Sequence, residues 1–159
     1  MKFNDKTFLK EKNKILMFYP YISTKSVKNI AKTIKSRWIG QGPKVELLEK
    51  KFSKKFLYNK YALATGSGTD ALHLSYLLSN IKKDDEVIVP IFTCTATNIP
   101  LLYIGAKIVF ADIDPNTMNI CTKSVEKLIT KKTKAIVCVH YGGLPCDMHE
   151  LVRISKKNN

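Results

Sequence analysis

The sequence predicts an α/β fold, a mostly parallel sheet with helices on both faces. Two observations carry this. From Tyr61 onward, short apolar runs alternate regularly with segments of helical period. Those runs, such as Glu86-Val-Ile-Val-Pro90 and Lys107-Ile-Val-Phe-Ala111, are apolar at consecutive positions. Continuous apolar strands separated by helices are the pattern of a parallel sheet covered on both sides.

Residues 1–17 are polar and Lys-rich and read as an irregular arm, leaving 18–159 as the folded part. A helix is expected over 26–37, with Val27, Ile30, Ala31 and Ile34 on one face. Trp38-Ile-Gly40-Gln-Gly42-Pro43 ends it, since two glycines and a proline so close together mark a defined loop. A second helix over 44–56 carries Val45, Leu47, Leu48 and Phe52. Strand 61–64 then leads into helix 69–81, which carries Leu72, Leu74, Leu77, Leu78 and Ile81. The expected order continues as strand 86–90, helix 95–104 with Pro100 inside it, strand 107–111, short helix 124–130, strand 135–139 and helix 148–157. Ligands of such sheets bind beyond the carboxyl ends of the strands. Residues 66–69, 92–97, 112–114 and 140–143 each follow an expected strand, so they face one crevice. After the last helix, Lys156-Lys-Asn-Asn159 reads as a turn toward a further strand. A sheet left with an open apolar edge is unusual in intact proteins, so the sequence reads as a cut one.

At 159 residues the chain has the size of one domain and can bury roughly 68–70% of its unfolded surface. Its 45% apolar and 25% charged content is ordinary globular usage. The net charge of +14 raises the question of nucleic acid. Of 27 basic residues, 25 are Lys, and only Arg37 and Arg153 are Arg. Residues 1–60 hold 16 basic and 4 acidic side chains, a net of +12, while the remainder is close to balanced. Base reading favours Arg, whose fork makes bidentate contacts, and no Arg cluster with interleaved aromatics is present. The lysines therefore read as solvated surface, able at most to attract a diphosphate-bearing substrate. No nucleic-acid partner is expected. No apolar run approaches the ~18 residues of a membrane helix, and the start lacks the apolar core of a signal peptide. No membrane partner is expected, and cytoplasmic location is. The four cysteines form no CxxC pair, and Cys138 sits in an apolar run where a thiol behaves as a small apolar residue. His140, Cys146 and His149 match no common zinc spacing, so no metal site is expected.

The chemistry-bearing stretch is Ala62-Leu-Ala-Thr-Gly66-Ser67-Gly68-Thr69-Asp70-Ala71-Leu72. A glycine turn opening a helix leaves free N–H groups and the positive dipole end at one spot, where a phosphate fits. Glycine lets an anion approach the backbone, and Thr69 adds a hydroxyl donor. The plainer reading is a tight turn with Thr69 as N-cap. Gly66-x-Gly68-x-x-Ala71 also fits a dinucleotide fingerprint, so an NAD(P)-dependent oxidoreductase is the alternative. That reading needs an acidic residue at the end of the next strand, where Pro90-Ile91-Phe92 stands instead. About 60 residues also precede the strand that should come first.

Four blocks in one order and spacing resemble the DegT/DnrJ/StrS-type sugar aminotransferases, pyridoxal 5′-phosphate enzymes of fold type I. They are Trp38 to Pro43, Gly66 to Leu72, Pro90-Ile-Phe-Thr-Cys94-Thr-Ala-Thr97 with Gly105 to Asp114, and Val139-His140-Tyr-Gly-Gly-Leu-Pro145-Cys-Asp147-Met148. The resemblance covers the chain from about Phe18 and implies the N-terminal part of that family's large domain. It implies that Ser67, Gly68 and Thr69 hold the cofactor phosphate. Cys94 stands where the family often has an aromatic residue stacked on the pyridine ring, and Thr97 falls at the ring's rim. Cys94 is thus either a ligand contact or a core residue. The Schiff-base Lys and the pyridinium-pairing Asp are implied beyond Asn159, so these residues alone are not expected to transaminate. The implied substrates are a nucleotide-linked keto-sugar and an amino-acid amino donor, in polysaccharide or deoxyaminosugar synthesis, with a homodimer as the complete form. Asp112 and Asp114 are expected to cap and turn the chain before Pro115. His140 is expected to satisfy a buried hydrogen bond, and Tyr103 and Phe110 to belong to the core.

Overall fold

A computed structural model describes residues 20–158, which divide into two compact units between Ala62 and Leu63. The first holds α1 (Thr24–Lys35) and α2 (Pro43–Phe56). Ser23 caps α1, its hydroxyl oxygen accepting from the Ser26 N–H at 3.1 Å. Lys32 and Lys35 sit in the last turn, where the helix dipole favours cations. Pro43 opens α2 at a position whose N–H has no helical partner in any case. The loop between them closes on itself, because a Cβ at Gly42 would fall 2.6 Å from the Trp38 ring. Both helices were legible to within two residues, and neither buries a residue among those described.

The second unit holds α3 (Gly68–Leu78), β1 (Glu86–Pro90), α4 (Thr95–Ile104), β2 (Lys107–Ala111), α5 (Thr122–Leu128), β3 (Thr133–Ile136) and α6 (Met148–Lys157). The strands form a parallel sheet in the order β2-β1-β3. Ile88 faces Val109 on one side and Ile136 on the other. Alternation along β1 sends its side chains into two cores. Val87 and Val89 join Tyr76, Ile81, Leu101 and Ala106 under α3 and α4. Ile88 joins Ala111, Ile120, Val125, Cys146, Leu151 and Ile154 under α5 and α6. Val87, Ile88 and Val89 are wholly buried, each contributing about 1.5–3 kcal/mol relative to exposure. The predicted α/β class, with helices on both faces, is the fold observed. Gly105 closes α4 in the left-handed region, φ +80°, where a side chain would be strained.

Three expectations are corrected. Residues 61–64 are not a strand, and Leu63 is 66% exposed. An apolar run becomes a strand only within a hydrogen-bonded ladder, and the described sheet ends at β2 and β3. Tyr103 and Phe110 are exposed and not core. Phe110 belongs to edge strand β2, and Tyr103 lies on α4 with its ring 6.1 Å from that of His73. Boundaries also shift. α3 ends at Leu78, leaving Ile81 beyond the helix, α5 begins two residues early, and β3 ends at Ile136, although the Val137 N–H still donates to the Ile88 carbonyl at 2.8 Å.

Candidate functional site

Because β1, β2 and β3 run parallel, the loops that follow them (residues 91–94, 112–121 and 137–147) leave one edge of the sheet. Two contacts bind these loops together. The rings of Phe92 and Tyr141 stack at a tilt, 4.9 Å between centroids, joining the first loop to the third. Asn119, 4% exposed, joins the second to the third. Its Oδ1 accepts from the Tyr141 N–H at 2.9 Å, and its Nδ2 donates to the carbonyls of Leu144 (3.0 Å) and Pro145 (3.2 Å). Asp112 and Asp114 are turn builders, as expected. Asp112 accepts from the Ile113 N–H at 2.8 Å, and Asp114 from those of Asn116 (2.8 Å) and Thr117 (3.1 Å). His140 Nδ1 accepts from the Cys146 N–H at 3.0 Å, so the expected bond exists on a residue that is itself exposed.

The glycine turn opens α3, an 11-residue helix. Ser67 is the N-cap, accepting the Asp70 N–H at 3.1 Å, which corrects the reading of Thr69 as cap. The Thr65 hydroxyl donates to the Ser67 carbonyl at 2.9 Å and fixes the bend. That carbonyl also accepts the Ala71 N–H at 3.1 Å. The N–H groups of Gly68 and Thr69 therefore have no acceptor among the described residues, as the first N–H groups of a helix must lack one. A Cβ on Gly68 would meet nothing within 4 Å, so the approach to these donors is open. Asp70 brings a negative charge to the same turn but is exposed, where solvent screens it.

The start of α4 is built differently. Cys94 is its N-cap, makes no capping hydrogen bond and is exposed, which removes the core reading. Thr97 is buried, its hydroxyl 2.9 Å from that of Thr93. The Tyr76 hydroxyl donates to the Thr97 carbonyl at 3.0 Å and so ties α4 to α3. Burial raises the Tyr76 pKa above its ordinary value, which keeps this donor protonated. Next to it, Asn98 Oδ1 is buried without a hydrogen-bond partner among the described residues. Thr97 is thus joined to Thr93 and Tyr76, whereas Ser67, Gly68 and Thr69 make their bonds within their own turn. Asn98, Asn119, Tyr76 and Tyr141 were missed from sequence. The Asn119 contacts span 22 to 26 residues, beyond any local pattern. No group of three or more His, Cys, Asp or Glu is placed to hold a metal among the described residues.

A parallel sheet with its loops fastened along one edge, and a helix start with open N–H groups, define an α/β protein. The chain belongs to the DegT/DnrJ/EryC1/StrS aminotransferase family, whose sequence profile matches residues 20–159. It is 38% identical over 139 residues to the spore coat polysaccharide biosynthesis protein SpsC of Bacillus subtilis, covering 87% of this chain and 36% of that protein. It is 37% identical over 146 residues to GDP-perosamine synthase of Escherichia coli O157:H7, covering 91% of this chain and 40% of that one. Among solved structures it is similar to an E. coli GDP-4-keto-6-deoxy-D-mannose-3-dehydratase with bound hydrated PLP. That similarity has a TM-score of 0.79 at 32% identity, over 87% of this chain and 37% of the other. The chain spans little more than a third of the length of these relatives. The dinucleotide alternative finds no support, since no strand precedes Gly66 among the described residues and β1 ends on Pro90 without an acid.

Proposed function

We propose that this chain carries the phosphate-gripping part of a pyridoxal 5′-phosphate-dependent aminotransferase acting on a nucleotide-linked keto-sugar, with an amino acid as donor. The observation that carries the reading is the pair of free N–H groups at Gly68 and Thr69 with open space before them. A phosphate monoester fits this donor set, being anionic, rich in acceptors and favoured at a helix N-terminus. In this reading Gly68 and Thr69 donate their N–H groups to phosphate oxygens, and the Thr69 hydroxyl adds a third donor. Ser67 uses its hydroxyl oxygen to hold the turn and keeps its O–H for the phosphate. Cys94 packs against the ring, and Thr97, held by Thr93 and Tyr76, fixes the helix start beneath it. When bound, the cofactor supplies an electron-withdrawing ring that stabilises negative charge on the carbon being transaminated.

The substrate class rests on the printed names of the relatives, two of them acting on GDP-linked sugars and one serving spore coat polysaccharide. Loops 91–94, 112–121 and 137–147 contain no lysine, and their carboxylates, Asp112, Asp114 and Asp147, accept N–H groups of their own turns and caps. We therefore assign the Schiff-base Lys and the pyridinium-pairing carboxylate to no residue of this chain. The complete enzyme is a cytoplasmic homodimer in this reading.

The test is titration with pyridoxamine 5′-phosphate, which has no aldehyde to react with the 25 lysines. Thr69→Ala removes a hydroxyl donor to a charged group, a loss of about 1.5–3 kcal/mol, which is roughly 10- to 100-fold in affinity. An unchanged affinity overturns the reading.

A further inference from the structure

The loop after β3 gathers three sulfurs that the proposed function does not use. Cys138 Sγ lies 3.7 Å from Met148 Sδ. Cys146, 5% exposed, donates its thiol hydrogen to the Val139 carbonyl at 3.2 Å, and Cys138 packs against the buried cluster that contains it. We propose that Cys138, Cys146 and Met148 form a binding site for a soft monovalent cation, copper(I), with silver(I) as its chemical equivalent.

Donor type, spacing and access support this assignment. Thiolates and a thioether are the ligands that select copper(I). Sulfurs about 2.3 Å from one shared metal stand roughly 3.8–4.0 Å apart at tetrahedral or trigonal angles. The Cys138–Met148 separation is already close to that value, so little movement is needed. Two harder donors nearby are engaged elsewhere. The Asp147 carboxylate accepts the Glu150 N–H at 3.0 Å, and His140 Nδ1 accepts that of Cys146. Zinc would want a fourth protein donor, which this set lacks. Cys138 and Met148 also line a cavity of about 240 Å³ between β3 and α6, through which an ion can enter.

Burial pushes the Cys146 thiol up, and the neighbouring Cys138 adds to this. Copper enters as copper(I), so no electron is transferred. Each thiol that becomes a ligand releases one proton to solvent, two at most.

The experiment is an anaerobic copper(I) titration of the reduced chain against a chromophoric copper(I) chelator, in a Cys94→Ser/Cys121→Ser background that removes the other two thiols. One copper(I) per chain is expected. Cys138→Ser and Cys146→Ser should each weaken binding by about 100-fold, the upper end of what even outer-shell losses cost, and Met148→Leu by about tenfold. Zinc should not compete. Should Cys146→Ser fail to fold, as a buried site can, the half-buried Cys138 and exposed Met148 decide the matter, with circular dichroism as the folding control. Affinity unchanged by both Cys138→Ser and Met148→Leu, or copper uptake only with Cys94 and Cys121 present, overturns the site. Because no pyridoxal compound enters the measurement, its failure leaves the proposed function untouched.

Discussion

Gly68 stands at the first helical position of α3, where a side chain would meet no neighbour within 4 Å. Its backbone needs no left-handed conformation, so folding alone gives no reason for a glycine here. Alanine has the better helix propensity, by up to about 1 kcal/mol. Gly68→Ala should therefore raise the unfolding midpoint in urea while weakening pyridoxamine 5′-phosphate binding, because the new methyl group enters the anion's approach. A variant that is stabilised and binds unchanged would show that the glycine is not there for a ligand. At this scale the sequence was informative about residue types and less so about roles. Two hydroxyls, Ser67 and Thr69, flank Gly68, and which one caps depends on where the helix starts, a one-residue matter that periodicity does not resolve. Cys94 was open between core and contact, and its exposure at the start of α4 settles that it is not core.

The elements show where pattern reading succeeds and where it stops. β1 and β2 were legible to the residue because each is a short continuous apolar run, and β1 is enclosed by helices on both faces. Residues 61–64 carry a similar run and are not a strand, since strand formation depends on a neighbour that no local pattern contains. The loops depend still more on distant partners. Asn119 holds loop 137–147 by three hydrogen bonds, from a position that reads in sequence as one more polar loop residue. Asn119→Ala would leave two carbonyls and one N–H without that partner. The expected cost is about 2–3 kcal/mol, since only part of the loss can be made good by water. Urea unfolding gives the value, and amide hydrogen exchange should quicken first at Tyr141. A loss under about 0.5 kcal/mol, the range of ordinary surface substitutions, would mean that Asn119 does not fasten this rim.

For the whole molecule, family membership and fold agree. Net charge is unevenly spread, with +12 of the +14 in residues 1–60. That field offers any phosphate ester a competing, non-specific attraction, which salt at 0.15 M largely screens beyond about 8 Å. The decisive measurement is therefore amide NMR of the chain at that salt, titrated with pyridoxamine 5′-phosphate and, separately, with pyridoxamine. The account predicts the largest shifts at the Gly68 and Thr69 N–H groups, with the phosphate ester only. Shifts that leave those two amides unmoved and gather on the lysines of α1 and α2, or that are the same without the phosphate, would contradict it.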